Sequence, residues 1–186
     1  MSRIDTLREE LGGPNSGAKN KVKDLLNEQL QGFIRHSPFA VMSTSNAGGD
    51  CDASPKGGLP GFIKVLDERT LLVPDIGGNR LFQSYQNFES NPKVGLVFMI
   101  PGMETTARVN GRVELLELDR LAEMGIEPEV LNPDQNSGLT QAILLHVDEA
   151  YLHCPRAFRF AELWNTETIE ANSKLSLKDL REPVTR

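Results

Sequence analysis

From Thr105 to Leu118 the sequence alternates apolar and polar side chains with a period of two. Successive side chains of a β-strand point to opposite faces of the sheet, so this pattern predicts a long strand with one buried face and one solvent face. The apolar face contains Ala107, Val109, Gly111, Val113 and Leu115, and the polar face contains Arg108, Asn110, Arg112 and Glu114. Such a strand needs a sheet that covers a core, which favours a β-rich fold.

Other runs of the sequence also have strand character. They are rich in apolar or β-branched residues and are bounded by turn residues; they cover Phe39–Ser45, Phe62–Leu66, Thr70–Pro74, Val94–Ile100 and about residues 141–153. Between the third and fourth of these runs, helical spacing predicts a helix from Arg80 to Ser90 with Asn79 as its N-cap. This order predicts a mainly β fold with α decoration, a β-barrel rather than a doubly wound parallel sheet.

The N-terminal segment, residues 1–35, is expected to be helical. Residues 2–11 form a short charged segment, and residues 18–35 place apolar side chains on one helical face. The stretch 12–17 is rich in glycine, proline and asparagine and separates the two helices.

Beyond the long alternating strand the pattern is less regular. Residues 118–125 predict a short helix, and residues 127–138 predict a loop because of their prolines and asparagines. Residues 173–186 form a polar tail that is expected to fray. The length of 186 residues favours a single domain over 1–186.

The charge and the hydropathy pattern argue against several partners. The chain has 20 Lys and Arg against 26 Asp and Glu, a formal net charge of −6. Nucleic-acid binding depends mainly on a basic surface, so no nucleic-acid partner is expected. The sequence has no apolar run of about 18 residues, as a membrane helix needs, and its polar start differs from a signal peptide. We therefore expect no membrane association and a cytoplasmic location.

Cysteine and histidine give no sign of a metal site. Cys51 and Cys154 fit no paired zinc spacing and are read as free thiols. His153 adjoins Cys154, but in an extended segment their side chains point to opposite faces, and His36 and His146 lack a partner at ligand spacing. The nucleophile motif GxSxG is absent, and no carboxylate pair suggests an acid and a base. Catalytic residues therefore stay unassigned.

The segment LLVPDIGGNRLFQSY, residues 71–85, is the most informative local feature. A strand ends, Gly77 and Gly78 turn the chain, and Asn79 and Arg80 open a helix. The free N–H groups of a first helical turn, the helix dipole and an arginine together favour a bound phosphate. The segment matches neither the P-loop nor the GxGxxG fingerprint. A glycine turn before a capped helix is also common without any ligand, so an ordinary turn is the alternative.

A second glycine- and proline-rich segment, CDASPKGGLPG at residues 51–61, surrounds Ser54 and Lys56. Glycine permits close backbone approach, a serine hydroxyl can donate to a carbonyl or phosphate, and a lysine can neutralise charge on a reduced ring. The alternative is a hairpin loop with a solvated lysine. Lys64, in the next strand, either points into a lined cavity or extends into solvent at an edge.

Two further groups could contribute to a binding site. Arg108, Asn110 and Arg112 share one strand face, which forms either part of a pocket or a solvated surface. Trp164 is the only tryptophan and closes the stretch HCPRAFRFAELW. It could stack on an aromatic cofactor, or it could be a core or interface residue.

Taken together, these segments resemble the pyridoxamine 5′-phosphate oxidase superfamily of FMN-binding split barrels, especially its uncharacterised FMN-dependent branch. HSPFAVMSTS looks like the first barrel strand, and DASPKGGLPGF looks like the approach to the second. The order GNR, a helix ending in NP, an apolar strand and then RVNGR matches the following segments. The resemblance spans about residues 18–166.

The resemblance implies a split β-barrel homodimer with FMN in the groove between the two chains. The cofactor-binding residues that it implies are Ser54, Pro55 and Lys56 along the ring and ribityl chain, Val73, Pro74 and Asp75 at a strand end, Gly78, Asn79 and Arg80 at the phosphate with help from Lys64, Arg108 and Asn110 towards the partner chain, and Trp164 beside the ring.

By the same resemblance, the chain is expected to be an FMN-dependent oxidoreductase with an unidentified substrate. Lys56 is the residue that we expect to stabilise the reduced ring. The alternatives are a non-catalytic flavin or haem carrier or sensor, and a deazaflavin-dependent reductase on the same fold. After Trp164 the chain lacks the oxidase's arginine-rich C-terminal motif, so oxidation of pyridoxamine 5′-phosphate itself is not expected.

Overall fold

The computed structural model describes residues 2–77, 80–126 and 138–181. Its strands are β1 (Phe39–Ser45), β2 (Cys51–Gly57), β3 (Lys64–Val65), β4 (Thr70–Ile76), β5 (Lys93–Met99), β6 (Thr106–Leu116) and β7 (Leu139–His153). Its helices are α1 (Arg3–Leu11), α2 (Ser16–Lys21), α3 (Glu28–His36), α4 (Gln83–Ser90), α5 (Leu118–Glu123), α6 (Arg156–Phe160) and α7 (Thr166–Asn172), and a 3₁₀ turn covers Asp179–Arg181. Within this part of the chain, no helix has the length and apolar character needed to cross a membrane.

The strands form one antiparallel sheet in the order β2-β1-β5-β6-β7-β4-β3. Its longest ladder joins β6 to β7, from Thr106 opposite His153 to Leu116 opposite Ala142. The prediction of a mainly β fold with attached helices is confirmed. The prediction that 1–186 is a single domain stays a prediction.

The two ends of the sheet approach each other. Strands β1, β5, β6 and β7 lie between β2 and β4 in the sheet, yet Lys56 Nζ of β2 lies 2.9 Å from Asp75 Oδ1 of β4. Helix α4 packs against β1 and β2. The sheet therefore curls into a barrel. Within the described residues β2 and β4 share no ladder, which agrees with a split barrel.

The main core fills the inside of the curled sheet. Its members are apolar residues of the strands and of α3 that are almost fully buried, among them Leu30, Ile34, Met42, Leu71, Val73, Leu96, Phe98, Val109, Ile143 and Leu145. Burial of each large side chain stabilises the fold by about 1.5–3 kcal/mol. Residues of α3 and of every strand from β4 to β7 thus share one apolar cluster, which holds the sheet in its curved form.

The predicted alternation of β6 is confirmed along most of the strand but is wrong at its end. Ala107 and Val109 are buried and Arg108 is exposed, as predicted. However, Leu115 is 41% exposed, whereas Leu116 is buried. The reason is that Leu116 packs into a second cluster on the opposite sheet face, which α5 covers through Leu121.

The predicted helix over residues 18–35 is also wrong as a single element. Helix α2 ends at Lys21, and Lys23 then pairs with Ala150 of β7 through two backbone hydrogen bonds of 3.1 and 2.7 Å. Helix α3 begins at Glu28 because the Asn27 side chain accepts a hydrogen bond from the N–H of Leu30. An N-cap inside an amphipathic run therefore separates two helices.

The segment 51–61 contains a strand that the sequence pattern did not predict. Strand β2 pairs with β1 along Cys51–Gly57, with Pro55 opposite Val41. Proline is tolerated there because β2 is an edge strand with only one neighbour. The predicted strand Phe62–Leu66 is shorter in the structure, where only Lys64 and Val65 pair with β4.

The C-terminal segment beyond β7 is largely exposed. Helices α6 and α7 contain no buried residues. The tail predicted to fray from residue 173 includes the 3₁₀ turn Asp179–Arg181. The loop predicted for residues 127–138 lies outside the described residues except for Gly138.

Candidate functional site

A cavity of about 370 Å³ opens where β2, β4 and α4 meet. Its size falls in the range of about 300–1,000 Å³ that is typical of small-molecule sites. Its walls combine apolar and polar residues in equal number; they are formed by Ser54, Pro55, Lys56, Gly57, Phe62, Pro74, Asp75, Ile76, Arg80, Phe82, Ser84 and Tyr85. The split between β2 and β4 therefore leaves space for a ligand.

Asp75 lies at the centre of a polar group in this wall. Its Oδ1 is 2.9 Å from Lys56 Nζ, and its Oδ2 accepts a hydrogen bond of 2.8 Å from the Tyr85 hydroxyl. The side chains of Lys56 and Asp75 are only 18% and 13% exposed. Burial, together with the Asp75 carboxylate, raises the pKa of the Tyr85 phenol far above its ordinary value. Tyr85 therefore stays neutral and acts as a donor.

The chain enters α4 through two residues with left-handed backbone. Arg80 has a φ of 59° and Phe82 a φ of 53°, and both line the cavity. Residues other than glycine rarely adopt this conformation, and such outliers are concentrated at functional sites. Phe82 occupies the N-cap position of α4, so the predicted helix start at Arg80 and the predicted N-cap at Asn79 are wrong. Gly78 and Asn79 themselves lie outside the described residues.

Helix α4 is fixed to the barrel by side-chain hydrogen bonds. Ser84 Oγ donates to Asp52 Oδ2 of β2 at 2.6 Å, and Asn87 Nδ2 donates to Thr44 Oγ1 of β1 at 2.8 Å. The first N–H groups of a helix have no acceptor within the helix. Because Ser84 and Tyr85 line the cavity, the start of α4 and the Arg80 side chain can act on one anion there.

A second cavity of about 310 Å³ adjoins the first. It shares Asp75, Ile76, Arg80 and Phe82 with the first cavity and is otherwise lined by Gly77, Gly138, Leu139, Thr140 and Gln141. Arg80 and Phe82 therefore stand between the two spaces. A ligand that is longer than the first cavity could extend past Arg80 towards β7.

The structure brings six of the predicted site residues to the first cavity. They are Ser54, Pro55, Lys56, Pro74, Asp75 and Arg80. Sequence reasoning missed the other six wall residues, which are Gly57, Phe62, Ile76, Phe82, Ser84 and Tyr85. Phe82 and Tyr85 follow the Gly77–Gly78 turn by four and seven residues. This closeness to the turn is the signal that could have identified them.

Two predicted residues, Lys64 of β3 and Val73 of β4, are not in the described wall of the cavity. Val73 is 1% exposed as a whole residue and packs in the core, and it does not line the cavity. Lys64 of β3 pairs with Leu72 of β4. It is not among the described residues that line either cavity.

The remaining predicted residues lie elsewhere on the same chain. Arg108 is exposed and stands over the Tyr151 ring at 5.9 Å. Asn110 Nδ2 donates to Glu149 Oε1 at 2.9 Å. Trp164 Nε1 donates to the carbonyl of Met103 at 2.9 Å, and the indole lines a separate cavity of about 410 Å³.

The described residues contain no group of three or more His, Cys, Asp or Glu side chains arranged to hold a metal ion. Cys51 and Cys154 are exposed and unpaired by disulfide. The polar groups that meet in a cavity here are instead those of Lys56, Asp75 and Arg80.

The sequence matches the family profile described as pyridoxamine 5′-phosphate oxidase over residues 26–154. The chain belongs to the pyridoxamine 5′-phosphate oxidase family. The matched region runs from the entry of α3 to the end of β7 and contains every residue of the first cavity. No curated protein sequence matches the chain significantly.

Solved structures with a similar fold include proteins of this family. A Lactobacillus delbrueckii protein named after pyridoxamine 5′-phosphate oxidase is 22% identical, with a TM-score of 0.52 over 69% of this chain and 95% of its own. A variant of HupZ from Group A Streptococcus is 15% identical, with a TM-score of 0.49 over 69% of this chain and 99% of the HupZ chain. General Stress Protein 26 of Bacillus anthracis is 17% identical, with a TM-score of 0.45 over 67% of this chain and 91% of its own. At 22% identity, the similarity to the Lactobacillus delbrueckii protein concerns the fold alone.

Proposed function

We propose that the chain binds FMN in the first cavity and is an FMN-dependent oxidoreductase. The observation that carries the proposal is that Arg80, at the entry to α4, and Lys56, beside apolar side chains of the wall, line one cavity. Arg80 and the start of α4 would hold the phosphate. Pro55, Pro74 and Phe62 offer apolar surface to the ring.

The residues present fit this cofactor by charge. The wall has two cationic side chains, Lys56 and Arg80, and one carboxylate, Asp75, so it favours a ligand with negative charge. When bound, FMN supplies hydride and electron transfer, while the protein supplies binding, orientation and electrostatics. Lys56 would place its ammonium close to the ring and stabilise negative charge there. Phe62 and Pro55 would limit the access of water.

We further propose a homodimer in which each chain contributes to both cofactor sites. Three predicted site residues do not line the cavity of their own chain, namely Arg108, Asn110 and Trp164. In a dimer they would contact the FMN that is bound by the other chain. The C-terminal segment exposes apolar side chains, with Phe160 at 75% and Leu177 at 85%. Burial of such residues against a second copy would remove apolar surface from water.

Sedimentation velocity at micromolar concentration tests the homodimer. A dimer is expected for the wild-type chain. A monomer that nevertheless binds FMN would contradict the shared sites and leave the FMN proposal standing.

An absorption spectrum of the purified protein, followed by mass identification of the released ligand, tests the cofactor. Flavin bands and released FMN are expected. A Soret band would favour the haem carrier, and deazaflavin in the released fraction would favour the related reductase. Bleaching of bound FMN by a nicotinamide donor and recovery of colour in air would distinguish an oxidoreductase from a carrier.

Titration of FMN into an Arg80→Ala variant tests the phosphate position. Loss of a hydrogen bond to a charged group costs about 1.5–3 kcal/mol, which corresponds to a roughly 10- to 150-fold weaker dissociation constant. Arg120→Ala is the matched control, since Arg120 lies on α5, pairs with Glu123 at 2.7 Å and is 63% exposed. Equal affinity of the wild type and Arg80→Ala would remove Arg80 from the phosphate site.

A further inference from the structure

Lys56 is held in one place at the cavity wall. A lysine side chain has many rotamers, and an exposed one rarely keeps a single position. Here the ammonium lies 2.9 Å from Asp75 Oδ1, and the two side chains are only 18% and 13% exposed. The charge of Lys56 therefore stands at a defined point of the cavity, and Asp75 determines that point.

Asp75 is held from a second side. Its other oxygen accepts the hydroxyl of Tyr85 at 2.8 Å, so the carboxylate joins β2, β4 and α4 through two contacts. Both Tyr85 and Asp75 line the cavity. A carboxylate fixed in this way attracts the ammonium towards the wall and offsets part of its charge.

We propose that Asp75 is a positioning residue that, through Lys56, determines how strongly the site prefers reduced over oxidised FMN. The inference rests on the proposed function, because Lys56 has to face a bound flavin. Reduced FMN carries more negative charge on its ring than oxidised FMN does. A Lys56 ammonium that is drawn to Asp75 stabilises this charge less than an ammonium without a carboxylate beside it would.

The ratio of the dissociation constants for oxidised and reduced FMN tests this role. Asp75→Asn keeps the shape and a hydrogen-bond acceptor for Lys56 but removes the negative charge. We expect the ratio to shift about tenfold towards reduced FMN, within the range of coupling for residues in contact. This change corresponds to a rise of about 30 mV in the two-electron midpoint potential. A loss of structural support alone would weaken both forms together and leave the ratio unchanged.

A double-mutant cycle separates an action through Lys56 from a direct effect of Asp75 on the ring. In a Lys56→Met background, Asp75→Asn is expected to shift the ratio much less than in the wild type. An equal shift in both backgrounds would overturn the positioning role. If Asp75→Asn fails to fold, as judged by circular dichroism, Asp75→Ser replaces it in the cycle, because it also removes the carboxylate from beside Lys56. The same shift towards reduced FMN is expected, and an unchanged ratio overturns the inference.

A titration without cofactor tests the Asp75–Tyr85 contact independently. The chain has 2 tyrosines, so a Tyr151→Phe background leaves Tyr85 as the only phenol to follow by absorbance. Asp75→Asn should lower the pKa of Tyr85, because the carboxylate that opposes ionisation is gone. An unchanged titration would contradict the contact on which the inference depends.

If the wild type binds no FMN, the proposed function fails and the inference fails with it. If FMN binds and the ratio of the two dissociation constants stays constant in Asp75→Asn, only the positioning role fails.

Discussion

Gly111 is the position where the packing of the barrel can be tested most directly. It lies in β6 opposite Val147 of β7, next to a shift in register. A Cβ built on Gly111 would collide with the backbone carbonyl oxygen of His146 and lie 2.9 Å from Leu145 Cδ2. The leucine could rotate away, but the carbonyl oxygen belongs to the ladder and cannot move without displacing β7. Gly111→Ala should therefore strain the longest ladder of the sheet.

The expected cost is at the upper end of the range for overpacking, about 3 kcal/mol in the free energy of unfolding. This is a large share of the roughly 5–15 kcal/mol that stabilises a typical domain. For a chain of this length the melting temperature should fall by about 6–12 °C. Urea unfolding followed by circular dichroism measures the change, with an unchanged m-value expected.

Gly32→Ala provides the matched control. Gly32 lies within α3, and nothing stands within 4 Å of a Cβ built there. Because alanine has a higher helix propensity than glycine, this substitution should stabilise the protein by about 0.5–1 kcal/mol. The same chemical change thus has opposite signs at the two positions. If Gly111→Ala stayed within about 0.5 kcal/mol of the wild type, the register between β6 and β7 would be wrong.

Three further substitutions give measurable effects on stability. Asn27→Ala removes the N-cap of α3 and should cost about 1 kcal/mol in urea unfolding. Asn87→Ala leaves the buried hydroxyl of Thr44 without its 2.8 Å donor and should cost about 1–3 kcal/mol, read from the shift of the unfolding midpoint. The hydrogen bond from Lys93 lowers the pKa of Asp148 in the folded state. The ionised Asp148 therefore stabilises the fold above the pKa that it has in the unfolded chain, and this stabilisation is lost as the pH falls through its pKa in the folded protein. Asp148→Asn should therefore unfold more easily than the wild type at neutral pH, and the two should converge in acid.

Local pattern was sufficient to predict most of the strands. The alternation of β6 and the runs of β1 and β5 follow from strands with one buried face, whereas the run of β4 is buried on both faces. The structure places these strands within a few residues of their predicted ends. The failures occurred where a tertiary contact overrides local spacing. Lys23 leaves its helix to pair with β7, and Leu116 turns to the outer cluster because α5 covers it. Ala150 lies far from Lys23 in sequence, and Leu72, Ala142 and Leu144 of the outer cluster lie far from Leu116. A local window around Lys23 or Leu116 therefore does not contain these contacts.

The site was only partly predictable for the same reason. The Gly77–Gly78 turn with Arg80, and the segment around Lys56, each suggested a ligand, and the structure brings Arg80 and Lys56 to one cavity. Their connection through Asp75 and Tyr85 depends on how the sheet curls, which residue spacing does not show. The roles of Arg108, Asn110 and Trp164 depend on a second copy of the chain and stay predictions.

The proline in the edge strand has a consequence for how the molecule avoids aggregation. An open sheet edge exposes backbone groups that can pair with a strand of another molecule. Beside the cavity, β2 presents such an edge, and Pro55 within it lacks the N–H that an added strand would need. The entrance can therefore stay open to small molecules while being a poor template for another polypeptide. Replacement of Pro55 by a β-branched residue should lower the solubility of the protein more than its folding stability.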